Sequence, residues 1–112
     1  MNQKNALPLS GIRVLELSQA VMGPTCGLVL ADMGAEVIRV ERAPEGDDTR
    51  RLKGFGKGFF PFFNRNKKSI AIDLKTEKGK RILKKLIASS DVLLENFVPG
   101  TMERLEIGRA HV

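Results

Sequence analysis

The strongest constraint on this chain is a helix-length apolar segment set between two short runs rich in branched residues. Residues 12–17 (IRVLEL), preceded by Gly11, predict a largely buried strand. A loop over 18–23 follows, and Pro24 suits the first turn of a helix, where a missing N–H is not needed. Leu28, Val29, Leu30 and Met33 give that helix an apolar surface, Cys26 reads as a small core residue within it, and Gly34 is its natural stop. Residues 36–41 (EVIRVE) form a second strand, so the segment is a β-α-β unit with a right-handed crossover. The pattern recurs downstream. Residues 69–73 alternate as a strand, and Thr76 is placed to cap a helix with Glu77 in its favourable first turn. Ile82, Leu83, Leu86 and Ile87 form that helix's apolar stripe, and Ser89-Ser90 end it. Residues 91–95 read as a fourth strand, and Thr101 is placed to cap a last helix over 102–105. This order predicts an α/β fold, an open and mostly parallel sheet covered by helices.

Between the two units, residues 42–68 show no clear period. They hold Pro44, Pro61, Gly46, Gly54, Gly56 and Gly58, with five of the six phenylalanines. A stretch this long without regular structure inside a compact domain is usually functional. Phe59, Phe60, Phe62 and Phe63 suggest a short helix or strand within it, packed on the core.

Composition narrows the function. Hydrophobic residues are 42% and charged residues 29%, ordinary for a soluble globular chain. No apolar run reaches the ~18–20 residues of a membrane span, and residues 1–5 lead into no apolar signal core. We therefore expect a cytoplasmic protein without membrane association. Cys26 is the only cysteine and His111 the only histidine, which excludes an internal disulfide, a Cys-only or multi-His metal site and a His-centred triad within these residues. The net charge of +6 is uneven: residues 50–85 carry 13 of the 19 Lys and Arg against Asp73 and Glu77 alone. Such a patch suits a polyanion, and its plain reading is a solvated helix face plus a charged loop.

No single motif settles the chemistry. The first strand–helix turn, residues 18–24, lacks G-x-G-x-x-G, so Glu41 at the end of the second strand is not read as a ribose-binding acid. Residues 54–58 (GFGKG) lack the Gly-Lys-Ser/Thr ending of a phosphate loop. Asp47 and Asp48 read as turn formers. Residues 107–112 (IGRAHV) fit nothing before them. Their back-translation, ATC GGA AGA GCA CAC GTC, belongs to a common short-read sequencing adapter, so we expect a non-native tail after residue 106.

Several stretches together resemble one family: residues 9–17 (LSGIRVLEL), Gly23-Pro24, 30–41 (LADMGAEVIRVE), 46–50 (GDDTR), 64–75 (NRNKKSIAIDLK) and 95–100 (ENFVPG). The chain resembles the N-terminus of family III CoA-transferases, the group of formyl-CoA and carnitine CoA-transferases and α-methylacyl-CoA racemase. The resemblance implies that residues 1–106 begin a Rossmann-like large domain, with helices on both faces of its sheet, that is incomplete here. It implies a homodimer of interlocked chains and, in the transferases, an aspartate nucleophile that passes through an anhydride and an enzyme–CoA thioester. That aspartate, and the racemases' acid–base His and Asp, fall beyond residue 112, so no catalytic residue is assigned.

The resemblance does carry a CoA site onto this sequence: Val21 and Met22 after the first strand, Arg42 after the second, Ile72, Asp73, Leu74 and Lys75 after the third, Asn96, Phe97 and Val98 after the fourth, and Arg104 beyond. Strand carboxyl ends are where open α/β sheets bind ligands. CoA's phosphates call for cations and its adenine for apolar faces. Coenzyme A enters as a thioester substrate, with a carboxylic acid as acceptor; no cofactor or metal is implied. Val21 and Met22 stand where formyl-CoA transferases place a polar Gln and a small residue, which points to an acyl group less polar than oxalate. An acyl-CoA racemase on the same scaffold is the alternative, and a basic nucleic-acid-binding module is a third reading that the placement of the cations disfavours.

Overall fold

The computed structural model describes residues 7–105. The element order is β1 (Arg13–Leu17), α1 (Met22–Asp32), β2 (Glu36–Arg42), α2 (Phe59–Phe63), β3 (Lys67–Ile72), α3 (Glu77–Ala88), β4 (Val92–Glu95) and α4 (Thr101–Arg104). The strands form one parallel sheet in the order β3-β2-β1-β4. The chain builds outward from β1 through β2 to β3, then returns to the other side of β1 for β4. The strand order therefore switches between β1 and β4, and the connections leaving their carboxyl ends diverge into a crevice.

Period-two alternation sorts the strand residues onto two faces. Leu15, Leu17, Val40 and Ile72 meet Leu83 of α3, with Leu86 and Ile87 packed around them. Val14 and Val37 face the other way, against Ala31 of α1 and Ala35. Helices thus cover both faces. α3 is the amphipathic helix its stripe predicts: Leu83 is fully buried, and Thr76 Oγ1 accepts a hydrogen bond from Gly79 N at 2.9 Å. α1 docks through Gly23, Gly27 and Ala31, which recur every four residues and so share one face. A Cβ on Gly27 would overlap the Glu16 carboxylate, and one on Gly23 would overlap Ser18 Cβ. Only glycine lets this helix sit so close to the sheet.

Some expectations are corrected. Cys26 is exposed rather than a core residue, because the close-packed glycines turn it and Val29 outward. Thr101 is the first residue of α4 rather than its cap; Gly100, at φ 92°, takes the cap position without a side-chain hydrogen bond. β3 begins at Lys67, earlier than its alternation suggested, because Lys67 is a sheet residue whose charge is paired inside. The segment between β2 and β3 is ordered, with 3₁₀ turns at Asp48–Arg51 and Gly54–Gly58 leading into α2. The expected tail, residues 107–112 with His111, lies outside the described residues.

Candidate functional site

The site is built on an unusual face of the sheet. Along β1, β2 and β3, the positions pointing toward α1 and α2 include Glu16, Arg39, Glu41, Lys67 and Ser69, and the register sets Glu16 beside Arg39 and Arg39 beside Ser69. The side chains of Glu16 and Arg39 are 0% and 2% exposed. Charge at that depth persists only when paired and hydrogen-bonded. Here pairing is dense. Arg39 Nη1 donates to Glu16 Oε2 at 2.5 Å and to Ser18 Oγ at 3.0 Å, while Ser18 Oγ donates to Glu16 Oε2 at 2.6 Å. Lys67 Nζ lies 2.9 Å from Glu16 Oε1 and donates to the Pro24 carbonyl and Asn64 Oδ1, each at 2.9 Å. Burial pushes the Lys67 ammonium below its ordinary value, and Glu16 opposes that shift.

The other branch of this network grips the loop after β2. Arg39 pairs with Asp47. Asp47 Oδ1 also accepts from Thr49 N at 2.8 Å, which makes it the turn former its sequence position suggested. Glu41, buried on β2, accepts from Asp47 N at 2.8 Å and from Arg50 Nε and Nη2 at 2.7 Å each, and also from Ser69 Oγ. The Arg50 hydrogen bond holds the Glu41 carboxyl below the ordinary carboxylate range against the opposing effect of burial, and it raises the Arg50 guanidinium in return. Arg50 also stacks on Phe60, its guanidinium carbon 3.9 Å from the ring centroid, which ties α2 to the loop. With its carboxylate consumed in this way, Glu41 offers no free acceptor for a ribose.

Above the network opens a cleft of about 750 Å³ at the carboxyl ends of the strands. Its walls are the turn Ser18–Ala20 after β1, residues 40–49 at the end of and after β2, residues 72–75 after β3, and Phe97 and Leu105. Asn96 fastens the β1 turn to the end of β4: its Oδ1 accepts from Gln19 N at 2.9 Å and its Nδ2 donates to Gln19 O at 3.0 Å. Asp73 Oδ1 accepts from Lys75 N at 3.0 Å and shapes the β3 exit.

Of the residues singled out from the sequence, Arg42, Ile72, Asp73, Leu74, Lys75 and Phe97 line this cleft. Asn96 acts behind the wall through Gln19. Val21, Met22, Val98 and Arg104 are not on it; Met22 is 80% exposed, and Arg104 Nη2 donates to Thr101 Oγ1 at 3.1 Å. The β2 loop, with Glu45, Gly46, Asp47 and Asp48, supplies wall residues that the sequence did not mark as a site; Asp47 and Asp48 read there only as turn formers. Their glycine and paired aspartates were visible, but their place beside the crevice follows from strand order. Nor is the basic region one patch: Arg50 and Lys67 are consumed by Glu41 and Glu16, Arg65 by Asp32 and Lys68 by Glu36.

These features define an open parallel α/β protein with a cleft at its strand-order switch point, walled by cations and apolar side chains. The model of CoA-transferase family III matches residues 9–112, and the chain belongs to that family. It is 42% identical over 111 residues to human succinyl-CoA:glutarate CoA-transferase, covering 96% of this chain and 25% of that protein. It is 46% identical over 112 residues to succinyl-CoA–D-citramalate CoA-transferase of Chloroflexus aurantiacus, with 96% and 28% covered. The crystal structure of Rv3272 from Mycobacterium tuberculosis superposes with a TM-score of 0.88 at 46% identity, covering 94% of this chain and 29% of that one. The chain therefore spans about a quarter of the length of the curated relatives it matches.

Proposed function

We propose that this chain is the CoA-binding N-terminal part of a longer enzyme that transfers CoA between carboxylic acids. One observation carries this reading. In a family III chain, Arg42, Ile72, Lys75 and Phe97, from the ends of three different strands, meet on one cleft wall at the strand-order switch. In this reading Arg42 and Lys75, with Arg104 further out, serve CoA's phosphates, and Ile72 and Phe97 give the adenine apolar contact. Within the wall residues, Lys75 has an exposed side chain without an ion pair among the described residues, ready for an anion. The nucleophile is an aspartate of the longer protein. Its carboxylate attacks the acyl-CoA carbonyl and releases CoA thiolate, leaving a mixed anhydride. The thiolate then attacks the aspartyl carbonyl and releases the donor carboxylate, leaving an enzyme–CoA thioester. The acceptor carboxylate reverses these two steps and departs as the new acyl-CoA. CoA is a substrate here, and the interlocked homodimer of the family is part of the proposal.

The test is kinetic, on the full-length protein. A phosphate carries about −1.5 to −2 charge near neutral pH. A charge-assisted hydrogen bond to it is worth ~1.5–3 kcal/mol, so Arg42→Ala should raise KM for the CoA thioester roughly 10- to 150-fold with kcat little changed. At least one of Arg42→Ala, Lys75→Ala and Arg104→Ala should lose most of its penalty with 3′-dephospho-CoA thioesters. An unchanged KM in all three, or a loss confined to kcat, overturns the assignment. Exchange of the acyl α-hydrogen without CoA transfer overturns the transferase reading in favour of racemase chemistry.

A further inference from the structure

Arg42 is not free in this structure. Its Nη2 donates to Asp48 Oδ1 at 2.7 Å, and its Nε lies 3.8 Å from Glu45 Oε2. The same Asp48 oxygen also accepts from Arg51 Nη2 at 2.9 Å. Arg51 is itself aimed by the backbone: its Nη1 donates to Glu45 O at 2.6 Å and its Nη2 to Gly46 O at 3.4 Å. One carboxylate oxygen thus bridges two guanidinium groups at the mouth of the cleft, where Arg42 and Asp48 both line the wall. A phosphate oxygen held by two arginines makes the same contacts, because carboxylate and phosphate present equivalent acceptors to the guanidinium fork. The loop's anchoring also separates the fixed groups from the movable one. Asp47 and Arg50 are tied to the buried Arg39 and Glu41, whereas the Asp48 side chain is 75% exposed and can swing into water.

We propose that Arg42 and Arg51 form a two-arginine anion site, that Asp48 is its resident anion in the unliganded protein, and that a phosphate of the CoA substrate displaces Asp48. Arg51 is then a ligand-binding residue, and Asp48 is an internal competitor that sets the affinity and salt sensitivity of the site. This rests on the CoA-binding reading above. Exposed ion pairs are weak, so the competitor is displaced readily and its removal yields a modest gain.

The experiment measures binding of CoA and of 3′-dephospho-CoA to the full-length protein by calorimetry, with circular dichroism confirming that each variant is folded. Asp48→Asn should tighten CoA binding about two- to five-fold at low ionic strength, with the gain shrinking as salt screens the competing pair. Arg51→Ala in the Asp48→Asn background should weaken binding by roughly three- to ten-fold. If the gain persists with 3′-dephospho-CoA, the displacing group is the pyrophosphate; if it vanishes, it is the 3′-phosphate. Wild type that binds CoA while Asp48→Asn binds no tighter overturns the competitor. An unchanged affinity on removing Arg51 overturns the two-arginine site while leaving the CoA reading intact. Wild type that binds neither nucleotide overturns both.

Discussion

At the scale of single residues, the buried charges beneath α1 decide how the protein responds to mutation and to acid. Arg39 pairs with Glu16 and Asp47 together, so Arg39→Ala strands the Asp47 carboxylate in the interior and leaves Glu16 with Lys67 alone. Breaking a buried pair in this way typically costs ~3–5 kcal/mol, and we expect a fall of that order in urea unfolding of the full-length protein. Gly27→Ala should cost roughly 1–3 kcal/mol in the same measurement, since the added methyl overlaps the Glu16 carboxylate that Arg39 and Lys67 hold in place. The pH dependence follows from Glu41. Its folded pKa lies below the ordinary 4.5, chiefly through the Arg50 hydrogen bond. The unfolded chain therefore takes up this proton first as pH falls, and the stabilisation present above about pH 4.5 is lost as pH drops through the folded value. Arg50→Ala leaves burial as the main influence on Glu41 and should move the acid-unfolding midpoint, followed by circular dichroism, to higher pH.

At the scale of elements, α1 and α3 are held by opposite means. α3 has a strongly amphipathic sequence, an N-cap on Thr76 and a fully buried Leu83. Thr76→Ala should cost about 1 kcal/mol, and Leu83→Ala about 2–5 kcal/mol, in denaturant midpoints. α1 has apolar residues all around and no side-chain cap, so its orientation comes from the closeness that Gly23, Gly27 and Ala31 permit. This is why Met22, Val29 and Met33 remain exposed. A helix whose smallest residues face the sheet presents its larger apolar ones outward, which inverts the usual amphipathic rule.

For the molecule as a whole, the described residues form a sheet with β3 and β4 at its edges, a ring on Phe55 that is 94% exposed, and the uncovered outer side of α1. Open edges and contiguous apolar surface favour association with other chains. We therefore predict that the 112-residue chain expressed alone is insoluble or molten and without CoA-transferase activity. A cooperative melt and a dispersed amide spectrum from that chain would contradict this. The full-length protein should instead be soluble and cooperative, with Phe55, Phe62 and α1 protected from solvent.

The sequence by itself determined the local elements and their faces, because these are short-range properties. Short apolar runs, of which only residues 69–73 alternate, specified the four strands within about two residues at their ends, and Thr76 with the stripe from Ile82 to Ile87 specified α3. The family resemblance marked Arg42, Ile72, Asp73, Leu74, Lys75 and Phe97, which the fold does bring to one cleft. Tertiary structure alone decided three things. It set which side of β1 receives β4, and hence where the crevice opens. It turned Cys26 outward, since a helix with apolar residues on every side carries no signal of which side faces in. It also sorted the cations: Arg39, Arg50 and Lys67 look no different in sequence from Arg42 and Arg51, yet the first three are bound to Glu16, Asp47 and Glu41 inside the protein. Ion pairs across strands join Glu16 to Arg39 and Lys67, and the free-energy cost of an unpaired buried charge is what selects that pairing, so neither is visible until the sheet has formed.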